Sequence, residues 1–134
     1  MGYFEQQCPV LEVAPLRILL AEDQDINLIF ATRILERFGH YVVAVQNGQV
    51  AVERWGEEFF DLILMDIQMP VMDGIDATRA IRAKEAGSGR RIPIIAVTGR
   101  VLREELEHIM TQGFDSYLIK PFAVNELIRE IGRY

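Results

Sequence analysis

Five short apolar runs recur along this chain, each too continuously hydrophobic for a strand with one wet face. They are LRILLA (16–21), YVVAV (41–45), LILM (62–65), IPIIAV (92–97) and SYLI (116–119). Parallel strands covered on both faces read this way. Stretches of helical length separate the runs. Residues 26–38 place Leu28, Ala31, Leu35 and Phe38 on one stripe, and Gly39 follows as a stop signal. Asn47 is suited to cap a second helix over 48–58. Asp73 is suited to cap a third, ending near Lys84, with Asp76 favouring its positive end. Helices over 101–112 and 123–132 complete the pattern, the first with Leu102, Leu106, Ile109 and Met110, the second with Val124, Leu127, Ile128 and Ile131. This (βα)5 alternation predicts one doubly wound α/β domain, a five-stranded parallel sheet with right-handed crossovers.

Four runs end in polar groups. ILLAEDQDIN (18–27) ends in Glu22 and Asp23, and DLILMDIQMPVMDG (61–74) ends its run in Asp66. IPIIAVTG (92–99) delivers Thr98, and SYLIKPF (116–122) delivers Lys120. Ligands of open α/β sheets bind at the carboxyl edge of the strands. Three acids, a hydroxyl and an ammonium therefore meet in one crevice, which suits a divalent cation and a transferred phosphate. Asp25 is better placed to cap the first helix, which leaves Glu22 and Asp23 without a structural task. Gathering three carboxylates is costly unless a cation compensates. Oxygen-only ligands favour Mg²⁺ or Mn²⁺ over zinc. A calcium loop is excluded, because Leu28 and Ile34 stand where that loop requires Gly and Glu.

Asp66 is the candidate nucleophile, since a carboxylate attacking phosphorus needs a metal to screen the charges. Lys120 supplies a point charge for the equatorial oxygens of the transferred group, and Pro121 biases it away from helical dihedrals. Gly99 leaves open space beside the Thr98 hydroxyl, where a phosphate oxygen could accept its hydrogen bond. Tyr117, three residues before Lys120, straddles core and surface.

Other classes fit poorly. The chain has 14 basic against 20 acidic residues, a net charge of −6, which opposes nucleic-acid binding. Arg90-Arg91 reads as solvated surface. The single cysteine, Cys8, rules out an internal disulfide and a cysteine zinc site, as suits a reducing cytoplasm. No apolar stretch approaches the roughly 18 residues that span a bilayer, the start lacks the basic residues of a signal peptide, and no direct membrane contact is expected. Residues 1–15, with Pro9 and Pro15, read as a linker or remnant ahead of the domain at 16–134. His40 and His108 read as surface or strand-edge residues, and Met65, Met69 and Met72 as loop and core fillers. AEDQD stands where a glycine-rich phosphate loop would follow the first strand, against nucleotide and flavin binding.

The ordered motifs resemble the response-regulator receiver domains of two-component signalling over about residues 16–133. LILMDIQMPVMDGIDATRAIR is closest in wording to receivers attached to hybrid sensor histidine kinases. The resemblance implies the flavodoxin-like strand order 2-1-3-4-5, with the site at the switch between the first and third strands. It implies that Asp66 accepts a phosphoryl group from the phosphohistidine of a histidine-kinase dimerisation domain or a histidine phosphotransfer protein. Asp23 and Asp66 would bind Mg²⁺ directly, with the Gln68 carbonyl as a further ligand. Glu22 stands where the family more often has Asp, which implies contact through water. Thr98 and Lys120 would contact the phosphoryl oxygens, and the Lys120–Pro121 bond is often cis in the family. Thr98 and Tyr117 would form a coupled switch that alters the surface of 101–112 and 116–119. Gln68 and Arg100 would flank the path of hydrolytic water and set the phosphate lifetime. Ile26, Ile29 and Phe30 lie off the core stripe beside the acidic site, either as contacts for a helical-bundle histidine partner or as a wider buried face.

The expected function is thus a cytoplasmic phosphoacceptor module that catalyses its own phosphorylation and dephosphorylation. The C-terminal receiver of a hybrid kinase is favoured over a standalone response regulator. An aspartate-nucleophile phosphatase of the haloacid dehalogenase type would want Asp where Gln68 stands, and a cap domain.

Overall fold

The computed structural model describes residues 14–134. Apart from Ala14 and Pro15, the expected linker at 1–15, Cys8 included, lies outside the described residues. Strands β1 (Arg17–Ala21), β2 (Tyr41–Val45), β3 (Leu62–Asp66), β4 (Ile94–Thr98) and β5 (Ser116–Ile119) alternate with five helices. These are α1 (Asp25–Arg37), α2 (Gly48–Glu57), α3 (Gly74–Glu85), α4 (Arg103–Met110) and α5 (Val124–Ile131). All strand pairs are parallel, in the order β2-β1-β3-β4-β5. The chain thus has the expected flavodoxin-like architecture.

Continuous apolar strands need cover on both faces, and two separate cores supply it. On one face Leu19, Ile63, Met65, Ile94 and Ala96 pack with Ala51 and Val52 of α2, Ala77 and Ile81 of α3, and Ile109 of α4. On the other, Ile18, Leu62, Leu64, Ile95 and Val97 pack with Ala31 and Leu35 of α1 and Leu127 and Ile131 of α5. Each fully buried Leu or Ile contributes about 1.5–3 kcal/mol, so truncating Leu64 at the sheet centre would cost about 2–5 kcal/mol.

Local signals explain most element ends. The Asn47 Oδ1 accepts the Val50 N–H at 2.9 Å, and the Asp73 Oδ1 accepts the Asp76 N–H at 2.8 Å. Gly39 ends the α1 region at φ +92°, a conformation open to glycine. β4 starts later than the apolar run suggests: the Ile92 N–H is taken by the Glu85 carboxylate at 2.7 Å, and Pro93 has none to give.

Two expectations are corrected. Asp25 does not cap α1. Gln24 occupies the N-cap position without a side-chain cap bond, and Asp25 is the first helical residue. The Glu22 Oε2 accepts the Gln24 N–H at 2.9 Å, while Gln46 of the β2–α2 loop donates to the Asp25 carboxylate at 2.6 Å. No side chain caps α1; Glu22, three residues before Asp25, holds the N–H of the N-cap residue Gln24 instead. Of the two readings of His40, the surface one falls: it stands at the head of β2, an edge strand, and is buried. Its Nδ1 accepts the Leu16 N–H at 3.0 Å, at the entrance to β1, and burial pulls its pKa below the ordinary 6.5. No described helix is long and apolar enough to cross a membrane.

Candidate functional site

Register brings the polar strand ends together. Ala21 pairs with Met65, so Glu22 and Asp66 stand one step further along neighbouring strands. Asp66 pairs with Val97 and Thr98 with Ile119. The Lys120 N–H then donates to the Thr98 carbonyl at 2.7 Å, which fixes the start of the Lys120–Pro121 turn. That peptide bond is cis.

The Lys120 Nζ lies 3.2 Å from the Glu22 Oε1 and 3.2 Å from the Asp66 Oδ2. Oxygens of Glu22, Asp23 and Asp66 all fall within 4.8 Å of one another. Glu22, Asp66 and Thr98 are buried, whereas Asp23 and Lys120 are partly open. The other Asp66 oxygen accepts the Gln68 N–H at 3.3 Å.

Two glycines that sequence reasoning passed over hold this loop in place. A Cβ on Gly74 would overlap the Asp66 carbonyl oxygen, and one on Gly48 would overlap the Met72 carbonyl oxygen. Gly48 donates its N–H to that Met72 oxygen at 2.9 Å, and Gly74 donates to the Ile67 carbonyl at 2.9 Å. The signal was a glycine directly after each capping residue, Asn47 and Asp73.

The charges do not balance. Three carboxylates face one ammonium, and the Asp66 pKa rises from 3.8 to about 6. Burial is the main cause and the Glu22 charge the second, with Lys120 pulling the other way. Burial tends to lower the Lys120 pKa, but the charges of Asp66 and Glu22 outweigh it and hold the ammonium above its ordinary 10.5. An all-oxygen cluster with surplus negative charge fits a hard divalent cation such as Mg²⁺ or Mn²⁺.

The remaining residues fall around this centre. Gln68 is exposed and shares an open cavity of about 620 Å³ with Asp23, Pro70 and Asp73. Arg100 is exposed, and a Cβ on Gly99 would meet nothing within 4 Å, so the space beside Thr98 is open. Tyr117 pairs with Ala96, which by the period of two puts it on the same sheet face as Thr98. At 42% exposed, Tyr117 straddles core and surface.

Ile26, Ile29 and Phe30 are 81%, 47% and 48% exposed, which overturns the wider buried face. Phe30 also lines a cavity of about 410 Å³ with Asn27, Pro121 and Phe122, opening on Glu22 and Lys120. The sequence carried no sign of that cavity, because Phe122 and Phe30 meet only across the fold.

A family profile described as the response regulator receiver domain matches residues 18–132. Sensor protein GacS of Pseudomonas syringae pv. syringae is 41% identical over 124 residues, covering 92% of this chain and 14% of GacS. The peroxide stress-activated histidine kinase mak1 of Schizosaccharomyces pombe is 41% identical over 114 residues, covering 82% of this chain and 7% of mak1. The chain therefore spans only a small part of these relatives. Among solved structures, a receiver domain of a Pseudomonas aeruginosa PAO1 sensor histidine kinase, with a magnesium ion coordinated in its active-site cleft, aligns with a TM-score of 0.81. It is 40% identical and covers 90% of this chain and 98% of its own.

Proposed function

Because this chain belongs to the response regulator receiver domain family, we propose that Asp66 accepts a phosphoryl group from the phosphohistidine of a partner protein. The observation that carries this reading is the Asp66 carboxylate, buried, within 3.2 Å of the Lys120 ammonium and clustered with Glu22 and Asp23.

An Asp66 oxygen attacks phosphorus as the phosphorus–nitrogen bond of the donor breaks. The electron pair returns to the imidazole nitrogen, which then takes a proton from water. The Lys120 ammonium balances charge on one equatorial oxygen, and the Thr98 hydroxyl donates to another. Mg²⁺ or Mn²⁺, held by Asp23, Asp66 and the Gln68 carbonyl, would screen the charge of the incoming phosphoryl group. Glu22 is already engaged with Lys120 and the Gln24 N–H, which supports contact with the cation through water rather than directly. Gln68 and Arg100, exposed on either side of the site, govern the approach of hydrolytic water and so the lifetime of the acyl phosphate.

The output is a population shift. New phosphoryl oxygens draw the Thr98 hydroxyl inward, and Tyr117, on the same sheet face, turns into the space it leaves. The α4 and β5 surface changes with it. Ile26, Ile29 and Phe30 receive a histidine-kinase dimerisation domain or a histidine phosphotransfer protein. The length of the kinase relatives favours a receiver of a hybrid sensor kinase, working in the cytoplasm, over a standalone regulator. Phosphorylation and dephosphorylation are both catalysed by this domain on itself.

The test is incubation with Mg²⁺ and acetyl phosphate followed by intact-mass analysis. One labile phosphoryl adduct is expected, abolished by chelator and by Asp66→Asn. An adduct that survives Asp66→Asn moves the acceptor elsewhere.

A further inference from the structure

Phosphoryl transfer makes no use of the cavity between α1 and the segment leading into α5. Its volume of about 410 Å³ lies in the range of sites that hold small organic molecules. Leu64 of β3, Val97 of β4, Ala31 of α1 and Pro121 give it apolar walls, and Phe30 and Phe122 line it as well. Phe30 is 48% exposed, so an apolar guest lying against it takes further ring surface out of water.

Among the described residues, the charged groups lining the cavity are Glu22, only 4% exposed, and Lys120. This pair does not present a neutral floor. Asp66 shares the Lys120 ammonium at 3.2 Å, and oxygens of Glu22, Asp23 and Asp66 fall within 4.8 Å of one another. A guest therefore meets surplus negative charge. Glu22 also has accepting capacity to spare. Its two oxygens take one hydrogen bond each, from Lys120 and from the Gln24 N–H, whereas a carboxylate offers about four acceptor sites. Apolar walls favour a ring, and the charge behind them favours a cation over a neutral or anionic group.

We propose that this cavity binds a small aromatic amine, with its ring against Phe30 and Phe122 and its ammonium donating to the Glu22 carboxylate. A divalent cation at Asp23 and Asp66 draws on the same negative charge. The two cations therefore oppose each other, each weakening the other by the same factor. A bound amine thus holds the domain in its metal-free form. The amine site stands apart from the reading of Asp66 as acceptor, and the opposition rests on the reading of the acid cluster as a divalent-cation site.

The test titrates the ¹⁵N-labelled chain with tryptamine, tryptophol and indole-3-acetate, which share one ring system and carry an ammonium, a hydroxyl or a carboxylate. Amide shifts report both the place and the affinity. In chelator, tryptamine should shift Asn27, Phe30 and Phe122 saturably, with a dissociation constant of about 1 mM or tighter, the ordinary yield for a ligand of that size. Tryptophol should bind about tenfold more weakly, the difference between a charged and a neutral hydrogen bond, and indole-3-acetate more weakly still. Glu22→Gln should bring tryptamine and tryptophol within about twofold of each other. Phe30→Ala should weaken both about fivefold and leave their ratio. Saturating Mg²⁺ should weaken tryptamine at least about threefold and leave tryptophol unchanged.

Shifts that miss Phe30 and Phe122 overturn the cavity as the site. Tryptophol or indole-3-acetate binding as tightly as tryptamine to the wild-type chain overturns the choice of a cation, whatever the variants do. A preference that survives Glu22→Gln overturns Glu22 as its acceptor. Tryptamine affinity unchanged by bound Mg²⁺ overturns the opposition. Mg²⁺ that moves no amide of the acid cluster overturns the metal reading, and the opposition with it.

Discussion

Two clusters of charge sit at opposite ends of the same sheet and are built to different rules. At the amino ends of the strands, Arg82 donates to Glu85 at 2.7 Å, to Asp115 at 2.8 Å, and to the Ile92 and Gly113 carbonyls at 2.7 and 2.9 Å. Arg91 takes the other Asp115 oxygen at 3.1 Å, and the Ile92 and Ile94 N–H groups complete the set at 2.7 and 2.8 Å. Two acids thus meet two arginines, and every carboxylate oxygen has a donor. At the carboxyl ends, Glu22 and Asp66 share one lysine with Asp23 clustered beside them, and Asp66 is driven towards its neutral form. A saturated cluster holds a fold together. An unbalanced one is unstable by itself and gains from whatever ligand restores the balance.

Breaking the saturated cluster should have the largest effect. Arg82→Met leaves the buried Glu85 without its cation and should cost about 3–5 kcal/mol of stability in urea unfolding. Labelling of Asp66 by acetyl phosphate should persist at temperatures where the variant is folded. A cost below about 1 kcal/mol, typical of surface pairs, would place both clusters in the same class and remove the contrast.

The unbalanced cluster should respond with the opposite sign. Mg²⁺ at ten times its dissociation constant should raise stability by about 1.4 kcal/mol. Asp23→Asn removes one of the crowded charges, so it should stabilise the metal-free protein by roughly 1 kcal/mol while abolishing the Mg²⁺ gain. Thermal melts with Mg²⁺ and with chelator separate the two. An Asp23→Asn protein that is less stable without metal would mean that the acids are held by bonds rather than crowded together.

The two clusters were unequally legible in the sequence. Glu22, Asp66, Thr98 and Lys120 close apolar runs, and parallel strands carry run ends to one edge whatever the loops do. No comparable rule reaches Arg82, whose partner Asp115 lies beyond a whole helix and strand. Asp25 misled for a related reason: a cap is a local expectation, but Gln46 claims its carboxylate from 21 residues away. His40 reads as surface or strand edge because the partner of its ring, the Leu16 N–H, lies 24 residues earlier. The contacts of Gly48 and Gly74 are backbone to backbone, so no side-chain pattern announces them.

Acid should separate the two ends of the sheet in a last and smaller way. In the metal-free protein Asp66 holds its proton up to about pH 6, while in the unfolded chain it ionises near 3.8. Between those values the native state binds more protons, so this contribution is present at low pH and is lost as pH rises to about 6. His40 acts in the other direction. Its native pKa lies below 6.5 because it is buried, so the unfolded chain takes up a proton that the native state refuses. That contribution is full above pH 6.5 and is lost as pH falls. The two slopes oppose each other in chelator. Saturating Mg²⁺ favours the ionised Asp66 and reverses its slope, so that both ends then lose stability on acidification. His40→Leu should cost about 0.5 kcal/mol near neutrality, since the half-buried Leu16 N–H can turn to water, and should remove only the His40 limb. Urea unfolding in steps from pH 4 to 7 measures this, and a pH slope unchanged by Mg²⁺ would show that Asp66 is not what the cation rebalances.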